Sequence, residues 1–322
     1  MKPVWIIGAG PAGASAALSC IKEGRAVDVV DRSRFPRHKV CGEFFSPEIA
    51  PILDRLGVWS RFLSHEPAVI RRMSLHFGNR GKTSPLPEHA WGLSRFAYDR
   101  LLNESLTVRI GIGRVGHGPV VDATGRSAGF RIAKGNRTFG FKAHFAGPAD
   151  DCVELYFFQG FYVGLNCVEG GVTNVCGLGP ENLLRDKDFD IDALISTCDP
   201  LNRRLAPLTR VMKWMTVGPL LFQNQFDNDP PPLTYPAGDA LSFVDPFTGS
   251  GLLSAAITGE LAGRCAARGV PSSEYISECR RALSRPFTAA SLLRNLAGTK
   301  VAEYAAALIP GELLYRVTRP RL

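Results

Sequence analysis

Gly8, Gly10 and Gly13 stand in a Gly-x-Gly-x-x-Gly spacing, and an acidic residue, Asp31, follows at the end of the next apolar run. Glycines so placed permit a tight turn and let a pyrophosphate approach a helix N-terminus, while the carboxylate can accept hydrogen bonds from a ribose hydroxyl. The chemistry is dinucleotide binding. The spacing does not choose between NAD and FAD, and glycine-rich turns are common, so the context decides its weight. A second glycine-rich stretch, Gly249-Ser250-Gly251, precedes an Ala- and Leu-rich run. There a helix start would offer backbone N–H groups and a positive dipole end, suited to a ring that becomes anionic on reduction. Taken alone, that stretch also reads as a plain loop and helix cap.

These residues need elements to hold them. Residues 3–7 form an apolar run, residues 12–23 are helix-prone, and residues 26–30 return to a strand, which together make a βαβ unit. Helical periodicity follows over 48–63, strand-like alternation over 69–77 and a helix over 96–106. From 137 to 178 the pattern changes to short β-like runs separated by glycines, which predicts an antiparallel sheet. Residues 190–206 read as helix, the proline-rich 228–236 as a linker into a strand, and 250–268 as a long helix. The fold class expected is α/β: a Rossmann-type domain, 1–130 and 232–270, with an inserted β-sheet substrate domain, 131–231, to which about 66–90 contribute. A C-terminal helical segment, 271–322, completes the chain.

Composition narrows the function classes. With 322 residues, 45% hydrophobic and 21% charged, the chain can bury a large core. Its net charge of +8 comes from dispersed Lys and Arg without a basic block interleaved with aromatics, so nucleic acid is not an expected partner. The eight cysteines include no pair in CxxC spacing, so no metal or iron–sulfur site is expected. The first twenty residues are broken by glycines and run into Lys22, Glu23 and Arg25, unlike a signal peptide, and no stretch is apolar for the roughly 18 residues that span a bilayer. A cytoplasmic location, or one peripheral to a membrane, is expected.

Taken in order, the motifs resemble a known family. Gly8-Ala9-Gly10-Pro11-Ala12-Gly13 is followed by Arg37-His38-Lys39-Val40-Cys41-Gly42-Glu43 and then by Leu93-Ser94-Arg95-Phe96-Ala97-Tyr98-Asp99. Next come Asp122-Ala123-Thr124-Gly125-Arg126, Gly238-Asp239-Ala240 and Asp245-Pro246-Phe247-Thr248-Gly249-Ser250-Gly251. This order resembles the FAD-dependent family of geranylgeranyl reductases, flavin halogenases and aromatic hydroxylases of the p-hydroxybenzoate hydroxylase fold. The resemblance implies FAD as cofactor, with Asp31 and its neighbour Arg32 at the adenosine ribose and Arg95 against the flavin nucleotide. It also implies Asp239 at the ribityl–pyrophosphate region, with Gly249, Ser250, Gly251 and Leu252 near the ring and Pro246 in the same loop. The segment 39–48 resembles the geranylgeranyl reductase branch, which implies that Lys39, Cys41 and Gly42 run beside the flavin face.

By that placement Cys41 and Glu43 are the catalytic candidates. The thiol could give a proton or form cavity wall, Arg37, His38 and Lys39 could favour its thiolate, and Glu43 could orient substrate or supply the proton. Gly170-Gly171 reads either as lining of a substrate cavity or as a hairpin turn. The Trp-x-Trp-x-Ile-Pro signature of halogenases is absent, and so is a second Gly-x-Gly-x-x-Gly. The electron donor therefore stays open between NAD(P)H and a reduced protein carrier. Two activities follow from the resemblance: reduction of carbon–carbon double bonds in a prenyl or other hydrophobic substrate, or hydroxylation of an aromatic or alkyl-aromatic one. A non-catalytic flavin-binding protein is the third reading. The C-terminal residues 287–317 carry apolar side chains at helical spacing beside Lys300, Arg316, Arg319 and Arg321, suiting a core helix or a peripheral membrane contact that admits a lipid.

Overall fold

The computed structural model describes residues 2–111, 116–126, 137–158, 161–220, 223–243 and 249–283. The expected helix over 287–317, and Pro246, lie outside them.

Five strands form a parallel sheet in the spatial order Thr234–Pro236, Val120–Asp122, Val4–Ile7, Val27–Asp31, Val108–Ile110. The central strands Val4–Ile7 and Val120–Asp122 are short, mostly apolar runs that suit a sheet covered on both faces, whereas the edge strand Val108–Ile110 is largely exposed. Pro11 opens the first helix, Pro11–Lys22, where its missing N–H costs nothing, and every residue from Pro11 to Cys20 is buried. That burial reflects contact on two sides, with the sheet and with the helix Gly251–Arg268. The two helices meet through small residues: a Cβ on Gly259 would lie 2.3 Å from the Ala12 carbonyl oxygen, and one on Gly263 would lie 2.2 Å from that of Ala16. Ser19 Oγ donates to the Glu260 carbonyl at 2.8 Å across the same seam.

The second sheet has nine strands and is antiparallel but for one pairing, Ala68–Phe77 with Cys152–Phe158. Its centre, Thr138–Ala146, Thr173–Pro180, Phe161–Cys167 and Cys152–Phe158, falls where the glycine-spaced runs predict strands. Gly170 and Gly171, at φ 69° and 70°, make the turn between two of them, so the hairpin reading of that pair holds. One face of Thr138–Ala146 buries Phe141, Ala143 and Phe145 against the helices Ile191–Ile195 and Asp199–Leu205. The other face looks toward the parallel sheet.

Two expected elements differ, and one strand was not foreseen. The helix over 48–63 is two, Ile49–Arg55 and Trp59–Ser64, separated at Gly57, whose φ of 74° is left-handed. The helix over 190–206 is also two, because Pro200 cannot continue a helix and instead opens a new one. The strand Arg80–Gly92, paired with Ala68–Phe77, escapes the apolar alternation because charged and proline residues, Pro85 and Pro87 among them, fill it.

Candidate active site

Between the two sheets lies a cavity of about 620 Å³. The parallel sheet and its helices supply most of the wall: Gly10, Pro11 and Ala12 from the first helix start, Asp31 and Arg32 from the end of the second strand, Gly238 and Asp239, and Gly249, Gly251 and Leu252 from the second glycine-rich helix start. The loop after the second strand adds Lys39, Cys41, Gly42 and Glu43, and Arg95 adds the start of its helix. Three sequence candidates are absent from this wall. A Cβ on Gly8 would lie 2.2 Å from the Ala123 carbonyl oxygen and one on Gly13 would lie 1.7 Å from that of Gly8, so both glycines let strand, turn and helix close on one another. Ser250 is fully buried in front of its helix.

A dinucleotide fits these residues. A Cβ on Gly10, Gly42 or Gly251 would meet nothing within 4 Å, so bare backbone faces open space at both helix starts and at the loop between them. Asp31, 8% exposed, is oriented by the amides of Ala9 (2.9 Å) and Ser33 (2.7 Å). Cations gather on the wall. Burial, reinforced by Arg37 and Arg95, lowers Lys39 to about 8, and burial also lowers Arg126. Burial raises Asp239 against the pull of Arg126. Such a surplus of poorly solvated positive charge calls for an anionic ligand. Arg95 differs: its guanidinium donates through Nε and Nη2 to the two carboxylate oxygens of buried Asp99, at 2.8 and 2.9 Å.

Apolar side chains share the wall: Val40, Phe44, Val217, Pro219 and Phe243 line it, Phe243 lies under the Arg126 guanidinium, 5.1 Å from its ring centroid, and Phe243 also joins Leu178 and Leu220 in a small buried cluster against Tyr162 and Val217. Sequence patterning did not single out these residues, because each is an ordinary apolar strand or loop residue.

The two catalytic candidates line the same cavity. Burial raises the Cys41 pKa, outweighing Arg95, so the thiol keeps its proton and the expected thiolate is not favoured. Glu43 is fully buried at φ 55°. Its Oε1 accepts from the Arg95 amide (2.6 Å) and from Lys142 Nζ, and its Oε2 from His144 Nε2 (2.7 Å). Burial alone would raise its pKa, but the His144 hydrogen bond and the Lys142 charge together hold it below the usual carboxylate value. Glu43 is thus an ionised acceptor, which does not suit the expected proton donor. Lys142 and His144 were missed, although a lysine and a histidine two apart in the run TFGFKAHF were a signal. His38, Glu43 and His144 bring ligand atoms within 4.8 Å of one another. The Lys142 ammonium on the same carboxylate opposes a metal ion there.

Residues 1–150 match the family described as FAD binding domain. The cofactor is FAD. The chain resembles menaquinone reductase of Mycolicibacterium smegmatis at 47% identity over 57 residues, 18% of this chain and 14% of that protein. It also resembles the flavin-dependent halogenase armH4 of Armillaria mellea at 29% over 112 residues, 31% of this chain and 21% of that one. The chain therefore aligns with well under a third of the length of either relative. Its fold extends further. The flavin-dependent brominase Bmp2 triple mutant superposes with a TM-score of 0.78 at 17% identity, covering 99% of this chain and 94% of that one. Klebsiella pneumoniae HpxO, solved with FAD and uric acid, superposes with a TM-score of 0.77 at 18% identity, covering 98% and 95%. The α/β architecture expected from the motifs is the fold shared with this flavin-dependent brominase and with HpxO. Among the described residues no helix is long and apolar enough to cross a membrane.

Proposed function

We propose that the chain is an FAD-dependent oxidoreductase that reduces a carbon–carbon double bond of a prenyl or other hydrophobic substrate. The observation that carries this reading is a single cavity whose wall combines cations and bare glycine backbone with apolar side chains, the Cys41 thiol among them. Asp31, Arg32, Lys39, Gly42 and Arg95, with the backbone at Gly10, Gly249 and Gly251, would hold FAD, and Asp239 would border it. Bound there, FAD supplies hydride transfer. Phe44, Val217, Pro219 and Phe243 orient an apolar chain and exclude water, while Cys41 Sγ holds the proton that must reach the second carbon. The local likeness to menaquinone reductase supports a hydrophobic substrate.

Hydroxylation of an aromatic or alkyl-aromatic substrate is the second reading, favoured by the full-length likeness to HpxO, which was solved with FAD and the ring compound uric acid. The deciding experiment offers the reduced holoenzyme a lipid-quinone, polyprenyl and alkylphenol panel with and without oxygen, supplying NAD(P)H and a reduced protein carrier in turn. Anaerobic gain of two hydrogens by mass spectrometry supports reduction, and oxygen-dependent gain of one oxygen rejects it. A peripheral lipid contact through the C-terminal residues belongs to the same reading. It requires that deletion from about residue 310 weaken binding to anionic vesicles without changing the flavin spectrum.

A further inference from the structure

The sheet face toward the cofactor domain is graded in rows. Side chains alternate along Thr138–Ala146, so Lys142 and His144 share a face with Gly140, whose missing Cβ leaves room for Val40 and Val217. The register sets Asn174 opposite His144, Cys176 opposite Lys142 and Leu178 opposite Gly140, and Asn166 opposite Asn174. The polar stretch of this face, His144 with Asn174 and Asn166 and then Lys142 with Cys176, thus gives way to Gly140 with the apolar Leu178.

A fully buried lysine is costly unless its charge is matched. Here the polar row converges on one turn. Lys142 and His144 end on the Glu43 carboxylate, and Asn174 Nδ2 donates to the carbonyls of Cys41 (3.1 Å) and Gly42 (2.8 Å). The Glu43 carbonyl accepts from the Leu93 amide (3.2 Å). A left-handed backbone at a glutamate is strained, and such a conformation persists where its surroundings over-determine it. Since an ionised carboxylate only accepts, three donors satisfy Glu43 and leave it no proton to give.

We propose that Lys142, Glu43 and His144 form a positioning triad that latches the antiparallel sheet to the Cys41–Gly42–Glu43 turn, fixing the Cys41 thiol and the bare Gly42 backbone at the cavity wall. Its catalytic weight rests on the reading that Cys41 serves the reaction, but the latch is testable without substrate. The charged and titratable groups around Cys41 are Arg95 with Asp99 on the helix, Lys142, His144 and Cys176 on the sheet, and His38, Lys39 and Glu43 on its own loop. Of these, the triad supplies one anion and one cation, which act on the thiol in opposite directions.

The test measures iodoacetamide alkylation of Cys41 against pH in the full-length, FAD-loaded protein, with peptide mass mapping to separate it from half-buried Cys176, and FAD affinity by fluorescence. Glu43→Gln should move the alkylation midpoint down by about one pH unit and Lys142→Met should move it up by a similar amount. Each single variant should weaken FAD at least tenfold, and the double variant, with neither charge, should return toward wild type in both readouts. Because the latch holds the turn, faster alkylation overall in the single variants accompanies its loss, whereas unchanged midpoints or unchanged FAD affinity in the single variants overturns the proposal. Should Glu43→Gln not fold, Lys142→Met alone decides: a midpoint moved up with FAD weakened at least tenfold supports the latch, and either readout unchanged overturns it. Failure of the reductive reading would leave this outcome untouched, because no substrate enters the measurement.

Discussion

The two halves of the cavity are built by opposite means. On the parallel-sheet side, function is carried by atoms that are missing: Gly8, Gly13, Gly259 and Gly263 bring backbone within distances no side chain would allow, and Gly10 and Gly251 leave backbone bare toward the ligand. On the antiparallel side, function is carried by atoms that are present, as alternate side chains of three neighbouring strands converge on one turn. The first kind of site tolerates no added atom and the second no subtracted one.

Gly13→Val should break the comparison hardest. Its Cβ would fall 1.7 Å from the Gly8 carbonyl oxygen, so the first helix cannot seat, and both bound FAD in the purified protein and the cooperative melting transition should be lost. Retention of FAD at wild-type occupancy would show that the turn has slack. Next in size, Asp99→Asn leaves the Arg95 guanidinium facing the cavity without its counter-charge, and urea titration should register a loss of about 3–5 kcal/mol. Gly251→Val sharpens the contrast with Gly13. Nothing lies within 4 Å of its Cβ, so the melting temperature should stay within a few degrees of wild type while FAD affinity falls at least tenfold, about 1.4 kcal/mol. Smallest is Gly170→Ala, whose φ of 69° should cost about 1 kcal/mol in the far hairpin with no change in the flavin spectrum.

The same contrast explains what could be read in advance. Glycine spacing encodes backbone geometry locally, so the dinucleotide turn, the partner acid Asp31 and the second helix start were visible in a linear string. The latch was not, because Glu43, Lys142 and Asn174 meet only after strands far apart in sequence pair in register. The protonation states of Cys41 and Glu43 were likewise hidden. Flanking Arg37, His38 and Lys39 suggest a thiolate, but burial, which no local pattern displays, raises the thiol against Arg95 and Lys142, two cations distant in sequence. The breaks at Gly57 and Pro200 were legible in kind, as residues that interrupt helices, and were overridden by apolar periodicity running through them.

The small-residue seam between Pro11–Lys22 and Gly251–Arg268 bears on how the protein is made. Cys20 Sγ donates to the Gly263 carbonyl (3.2 Å), and Ser19 bonds to Glu260, across more than two hundred residues of chain. A ribosome that has delivered the first 150 residues has supplied the dinucleotide turn but not the helix that braces it. At about 5–20 residues per second, several seconds separate the two during synthesis. Nascent chains should therefore remain unable to retain FAD until the second glycine-rich helix emerges, and a truncation before residue 250 should be colourless however well its first sheet forms.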